Sequence, residues 1–237
     1  MRGLVVLGTD TGVGKTVFST LLLSSLRRQG LAVEGMKPVE TGCDLQPLDA
    51  LSLAIAAGSR VPLDVVCPYR FRMPAAPRAA AEAEGAVIDP VRIRSAFDDL
   101  ARGGRFVLVE CAGGAGTPYG PDLVGLDIAR LLDLPALLVA RAALGTVGQC
   151  VVTVRAMAAA GVTCRGVVLV RLPGMAPGPE DPTNAPLIEA HAQVPVHGIL
   201  PVLPAPPSPL DVQGYRGWAD RSAAILERSV DVGALLR

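Results

Sequence analysis

Residues 8–16 read GTDTGVGKT, directly after the apolar run Leu4-Val5-Val6-Leu7. A phosphate-binding loop of the common G-x-x-x-x-G-K-[ST] type would need glycine at position 9. This chain has Thr9 there, and the glycine stands one place earlier, at Gly8. The surroundings are still those of a phosphate loop, with a short buried strand before it and a helix beginning inside it. Glycines let backbone N–H groups converge on phosphate oxygens, and the helix N-terminus adds a positive dipole end. In that reading Lys15 reaches the β- and γ-phosphate oxygens and Thr16 offers a hydroxyl to Mg2+. A glycine turn that merely joins strand to helix is the plainer alternative. Gly14-Lys15-Thr16 at the helix start argues for phosphate.

Working outward, apolar runs of strand length alternate with longer amphipathic or alanine-rich segments. Strands are expected at residues 3–8, 32–36, 105–110, 136–140, 166–170 and 195–200. Helices are expected near 14–29, 47–57, 90–102, 123–132, 147–160, 186–193 and 217–226. Residues 60–76 carry three prolines and read as loop or short strand, and 173–182 and 201–209 read as exposed Pro-rich loops. Strands alternating with crossover helices imply a parallel sheet covered on both faces. The expected fold class is α/β, a single-domain P-loop NTPase-like fold over residues 1–237, with a mostly parallel sheet and helices on both faces.

Composition narrows the function. The 237 residues are half hydrophobic with a formal net charge of zero, against the basic face of a nucleic-acid module. Nothing approaches the roughly 18 continuous apolar residues of a membrane span, and no segment reads as a signal peptide. Five scattered cysteines, an odd number without C-x-x-C spacing, fit reduced thiols in a cytoplasmic protein. Of the 22 basic residues only Lys15 and Lys37 are lysine. Where lysine survives such a bias towards arginine, its compact three-donor ammonium is the candidate reason. Lys37 therefore joins Lys15 as a candidate functional residue.

A phosphate loop also needs an acidic group for its metal. Glu110 ends an apolar strand, where ligands gather in open α/β sheets, and Gly113, Gly114 and Gly116 follow it. A solvated carboxylate at a strand end is the alternative. Asp49, near a helix start, would equally suit a helix N-terminal charge.

Taken in order, GTDTGVGKT at 8–16, MKPVETG at 36–42 and LVECAGGAG at 108–116 resemble the dethiobiotin synthetases, whose long loop G-T-D-T-x-V-G-K-T accounts for the spacing. The family's K-P-V-x-[ST]-G is similar to Lys37–Gly42, its downstream D-A to Asp49-Ala50, and its P-Y-x-F to Pro68–Phe71, followed by Pro74–Pro77. The resemblance implies ATP- and Mg2+-dependent ring closure of 7,8-diaminononanoate with CO2 or bicarbonate, through a carbamate and a carbamic–phosphoric anhydride. It also implies a homodimer with the substrate site at the subunit interface. Lys15, Lys37 and Thr11 would be catalytic, and Thr16, Asp49 and Glu110 would hold the metal. Nucleotide contacts would come from Gly12, Val13, Gly14, Lys15, Thr16 and Val17, from Asp49, and from Glu110, Cys111, Ala112 and Gly113. Val170-Arg171 and Pro201-Val202-Leu203 would lie at the base. Thr41 and Lys37 would meet the substrate, with Gly145, Thr146, Val147 and Gly148 at its carboxylate.

Three positions depart from the family pattern. Gly148-Gln149 stands in place of N-H, Val170-Arg171 in place of an asparagine that reads the base, and Cys111 in place of a glycine. Relaxed base preference is the expected consequence of the second. The rivals are a partition- or positioning-type switch ATPase, a glutamine-dependent amide-forming synthetase, and a paralogue that binds nucleotide without turnover. The first should carry a lysine soon after Gly8, where Thr9 and Asp10 stand. The second should carry a further domain with a catalytic cysteine.

Overall fold

The structure is a computed structural model that describes residues 3–236. In chain order the elements are β1 (Gly3–Gly8), α1 (Lys15–Arg28), β2 (Val33–Met36), β3 (Val39–Thr41) and α2 (Leu48–Ala57). Then come α3 (Leu63–Val66), β4 (Tyr69–Phe71), α4 (Pro77–Ala83), α5 (Pro90–Leu100) and β5 (Phe106–Glu110). The middle holds β6 (Pro118–Gly120), β7 (Leu123–Val124), α6 (Gly125–Leu132), β8 (Ala136–Arg141) and α7 (Thr146–Ala159). The chain closes with β9 (Cys164–Val170), α8 (Asp181–Ala192), β10 (Val196–Leu200), α9 (Val212–Ser229) and α10 (Val232–Leu235).

Six strands form one parallel sheet in the order β10-β9-β8-β1-β5-β2. Successive side chains of a strand point to opposite faces, and here both faces are packed. In β1, Val5 and Leu7 enter one core layer while Leu4 and Val6 enter the other. The same alternation divides Val107 and Val109 from Phe106 and Leu108 in β5. Helices α5, α6, α7 and α8 cover the first layer; α1, α2, α9 and α10 cover the second. The β2 strand admits α2 closely because of Gly35, where a Cβ would stand 2.6 Å from Leu53 Cβ. Helix α1 is tied to its neighbours by Arg27, which donates to the Ala56 carbonyl (2.8 Å) and pairs with Asp220 of α9.

The expected strands and helices fall within two residues of their bounds except α8 and α9, and the short elements β3, α3, β4, α4, β6, β7 and α10 come in addition. Residues 60–76 contain the short helix α3 as well as strand β4, which pairs in parallel with β3 outside the main sheet. Helix α4 follows at once, with Pro77 in its first turn, a position where the missing N–H costs nothing. Helix α8 starts at Asp181 rather than near Pro186, and carries Pro186 inside it. That proline forgoes one backbone bond, which the burial of Ile188 offsets. Helix α9 is longer than expected at both ends. Asp211 caps it by accepting from Gly214 N–H (3.0 Å), and burial of Tyr215 and Trp218 outweighs the poor propensity of Gly214 and Gly217.

Strands β1, β2, β5, β8 and β9 all end at one edge of the sheet. The chain leaves β1 through α1 to reach β2, and later returns to β1's other side with β8. Such a reversal opens a crevice beyond the carboxyl ends of the strands.

Candidate active site

The loop between β1 and α1 is pinned by backbone bonds: Thr9 N–H donates to the Val139 carbonyl (3.1 Å) and Ala115 N–H to the Gly8 carbonyl (2.9 Å). Gly14 has φ +97°, and a Cβ there would stand 2.7 Å from Val170 Cγ1, so the turn into α1 requires glycine. Lys15 lies buried across the loop and donates to the Asp10 carbonyl (2.9 Å). Burial pulls its ammonium below the usual lysine value, and Lys37 adds to this while Glu110 opposes it.

Next to Lys15 lies a buried charge cluster contributed by three further elements. Lys37, just after β2, donates to Glu110 Oε1 (2.6 Å) at the end of β5 and to Asp49 Oδ2 (2.8 Å) in the first turn of α2. Thr16 Oγ1 donates to the same Glu110 Oε1 (2.8 Å). Burial works against the Lys37 ammonium, but Glu110 and Asp49 more than offset it and hold it well above the usual lysine value. Asp49 is partly desolvated, yet the Lys37 ammonium keeps its carboxyl below the ordinary range.

Glu40, at the middle of β3, completes the group. Its two oxygens accept from Asp49 N–H and Ala50 N–H, both at 2.9 Å. Burial and the neighbouring Asp49 carboxylate raise it to about 7, against the pull of those two N–H groups.

These side chains face a cleft of about 350 Å³. It brings together Thr11, Gly12, Gly14, Lys15, Thr16, Val17, Lys37, Thr41, Asp49, Glu110, Ala112 and Gly113 of the sequence-expected residues, and adds Glu40 and Leu172. Gly113 and its neighbours form a braced turn, with Ala112 N–H donating to Tyr119 Oη (2.6 Å) and Gly114 N–H to Thr117 Oγ1 (2.8 Å). A second groove of about 460 Å³ adjoins the cleft and shares Thr11, Thr41, Ala112 and Gly113 with it. Its far wall is Pro74, Ala75, Ala76 and Pro77, followed by Thr117.

A smaller apolar pocket of about 120 Å³ lies on the other side of Gly14 and Val17. Val170, Arg171, Pro201 and Leu203 line it together with Leu172, Pro206 and Trp218. Its two polar side chains are already engaged: Arg171 pairs with Asp181 (2.6 Å), and Trp218 Nε1–H donates to the Pro204 carbonyl (2.9 Å).

Four expected groups line neither the cleft nor the pockets beside it. The Val13 side chain enters the core beside α1 rather than the cleft. Cys111 is fully buried with its thiol towards the Gly125 carbonyl (3.6 Å), and burial pushes that thiol up to about 12. Its side chain therefore takes no space from the turn at Gly113. Val202 is 44% exposed and lies outside the apolar pocket that its neighbours line. Gly145, Thr146, Val147 and Gly148 lie at the start of α7, where Thr146 is buried against Cys150 while Gly145 and Gly148 are exposed. Glu40, Leu172 and Trp218 escaped the sequence reading. Only Glu40 left a trace there, as an acidic residue inside a motif already singled out.

The cleft's donor set suits Mg2+. Among the described residues Glu110 Oε2 is buried without a hydrogen-bond partner, a carboxylate oxygen left to accept from a cation or its water. Among the described residues no three His, Cys, Asp or Glu side chains converge as a metal cage. Two carboxylates and a threonine hydroxyl match a cation that keeps waters and takes phosphate oxygens.

A family model described as an AAA domain matches residues 2–207. The chain is 44% identical to the ATP-dependent dethiobiotin synthetase BioD of Anaeromyxobacter dehalogenans (strain 2CP-C), over 79% of this chain and 82% of that one. It is 39% identical to the protein of the same name from Mycobacterium avium (strain 104), over 85% of this chain and 87% of that one. Among solved structures it is similar to the MinC:MinD cell division protein complex of Aquifex aeolicus. The TM-score is 0.54 at 18% identity, with 97% of each chain covered. That last likeness is one of fold.

Proposed function

The chain belongs to the ATP-dependent dethiobiotin synthetase family, and on that premise we propose that its cleft closes the ureido ring of dethiobiotin from 7,8-diaminononanoate, CO2 and ATP. The observation that carries this reading is the convergence of the chain's only two lysines, from separate motifs, on one cleft with Thr41 and Glu110.

One substrate amine, as the free base, attacks CO2 and gives a carbamate with loss of a proton. A carbamate oxygen then attacks the γ-phosphorus, ADP leaves, and a carbamic–phosphoric anhydride forms. The second amine attacks the anhydride carbonyl, the C–O bond to phosphate breaks, and inorganic phosphate departs with the ring closed. No protein nucleophile is needed. The obstacle is bringing an anionic carbamate to an anionic phosphate, so positioned cations and N–H donors dominate.

Backbone N–H groups of residues 12–17 and Thr11 cradle the phosphates, and Lys15 neutralises the γ-phosphoryl oxygens. Lys37 already gives two of its three N–H donors to Asp49 and Glu110. The third is left for the carbamate, in a site where charge is worth more than in water. Thr41, on the wall shared by cleft and groove, hydrogen-bonds the carbamate or amine. Thr16, Asp49 and Glu110 would hold Mg2+, which supplies charge neutralisation on the phosphate oxygens. The groove against Pro74–Pro77 suits the aliphatic chain of the substrate, and the apolar pocket at Val170 and Trp218 suits the nucleotide base. The start of α7 at Gly145–Gly148 is assigned to the carboxylate of a substrate held by the partner subunit, in a cytoplasmic homodimer.

The switch-ATPase rival has support in fold alone, whereas the two cited relatives named as synthetases match most of the chain. The test is direct. Purified protein receives diaminononanoate, bicarbonate, Mg2+ and ATP, CTP or GTP, and dethiobiotin is followed by mass spectrometry. Product with ATP is expected; no product with any nucleotide overturns the reading.

A further inference from the structure

Strand β3 carries Thr41 and follows Lys37 closely, yet among the described residues it pairs only with β4, and it lies outside the six-stranded sheet. Its position relative to α2, which carries Asp49, therefore needs another fixing point. Helix α2 has a matching deficiency. Its N-cap is Pro47, which offers no side-chain acceptor, so the first-turn N–H groups must find partners elsewhere.

Glu40 meets both needs. It sits at the centre of β3 with 7% of its surface exposed, and its carboxylate grips the N–H groups of Asp49 and Ala50 at 2.9 Å each. A carboxylate accepting two N–H bonds at a helix N-terminus gains charge-assisted hydrogen bonds and the favourable end of the helix dipole. One of the two gripped residues is Asp49, whose side chain accepts from Lys37 at 2.8 Å. The grip thus fixes the backbone from which that carboxylate projects.

We propose that Glu40 is a positioning residue that locks the strand bearing Thr41 to the helix bearing Asp49, and so sets Asp49 against Lys37 and the metal-bound phosphates. The proposal rests on the functional reading above for the role of Asp49. Glu40 acts through Asp49 and has no reacting atom as its partner.

The test is a double-mutant cycle read by binding. Wild type, Glu40→Ala, Asp49→Ala and the double variant are titrated at about pH 8.5, where Glu40 is ionised, with adenylyl imidodiphosphate at a series of Mg2+ concentrations, with thermal unfolding followed in parallel. Glu40→Ala should raise the Mg2+ needed for half-maximal nucleotide binding on the order of tenfold, the scale of a lost charge-assisted hydrogen bond. In the Asp49→Ala background the same change should add little, because residues that act through one another are not additive. Glu40→Gln keeps one acceptor oxygen and should recover part of the Mg2+ response, and it serves as the single variant if Glu40→Ala fails to fold. An equal loss in both backgrounds overturns the proposal. So does an unchanged Mg2+ response with only the diaminononanoate KM altered, which would place Glu40 on the substrate. Failure of wild type to bind the nucleotide at any Mg2+ concentration would overturn the phosphate site itself, and the proposal with it.

Discussion

Lys37 Nζ and Glu110 Oε1 lie 2.6 Å apart, with the two side chains 4% and 0% exposed. Glu110 Oε1 also accepts from Thr16, and Lys37 also donates to Asp49, so four elements meet at two charged groups. Buried pairs of this kind contribute little net stability when intact, but removing one partner leaves an uncompensated charge.

Glu110→Ala should therefore cost stability as well as activity. Lys37 would keep only Asp49, whose side chain is 41% exposed, and the loss should be about 3–5 kcal/mol. Glu110→Gln keeps the volume and an acceptor oxygen and should cost less. Urea denaturation of both variants without nucleotide checks the order, and equal stability of wild type and Glu110→Ala would contradict the burial argument.

Lys37→Arg preserves charge but not shape. A planar guanidinium cannot occupy the space between Glu110 and Asp49 while presenting a compact third donor. Turnover should fall on the order of a hundredfold or more, the scale of losing one pre-set donor to developing charge. The KM for ATP should move far less, since the proposed function assigns that contact to Lys15 and the loop backbone. Steady-state kinetics with each substrate varied makes the measurement. Full turnover would remove the role assigned to Lys37.

Base selectivity should be weak. The pocket beyond Gly14 is walled by Val170, Leu172, Leu203 and Trp218, and its Arg171 and Trp218 polar groups are engaged by Asp181 and Pro204. Strong discrimination requires a site polar group left unpaired by the wrong ligand. The kcat/KM values for ATP, CTP and GTP should lie within about tenfold of each other, below the ratios that hydrogen-bonded readout supplies. Trp218→Ala should raise the KM for all three together. A large preference for one base would show that backbone groups of residues 171–206 read it.

The sequence exposed most where a local signal coincided with a chemical one. The β1–loop–α1 unit combines an apolar run, glycines and G-K-T, and lysine scarcity marked Lys37 without any fold information. Glu40 stayed hidden because its partners are backbone N–H groups on a helix eight or more residues away, and backbone donors leave no mark on composition. Trp218 was out of reach for a different reason. It joins the pocket at Val170 through the packing of α9 on the same sheet face as α1, a tertiary fact with no local pattern. Cys111 shows the limit of motif matching. It follows the strand-terminal Glu110 directly, yet its side chain turns into the opposite core layer from Leu108.

The buried thiols set an alkaline limit on stability. Burial pushes Cys43 and Cys150 up to about 11 from an ordinary 9.0, with Glu40 adding to the first and a Thr146 hydrogen bond opposing the second. Cys67 is raised further, again by burial first. A folded value above the unfolded one means the folded chain holds its protons longer. The contribution is thus complete below about pH 9 and is lost as pH rises through 11. Unfolding free energy from urea titrations should change little near about pH 8, once Glu40 has ionised in the folded chain, and fall steadily above about pH 9, as each thiol released on unfolding ionises. Cys150→Ala should make that fall shallower by up to one proton's worth of slope. In the folded protein Cys43, Cys67 and Cys150 should resist iodoacetamide at pH 8, because the thiolate is the reactive form and burial disfavours it. Rapid native alkylation of these three, or a stability that rises above pH 9, would contradict the burial that the structure assigns them.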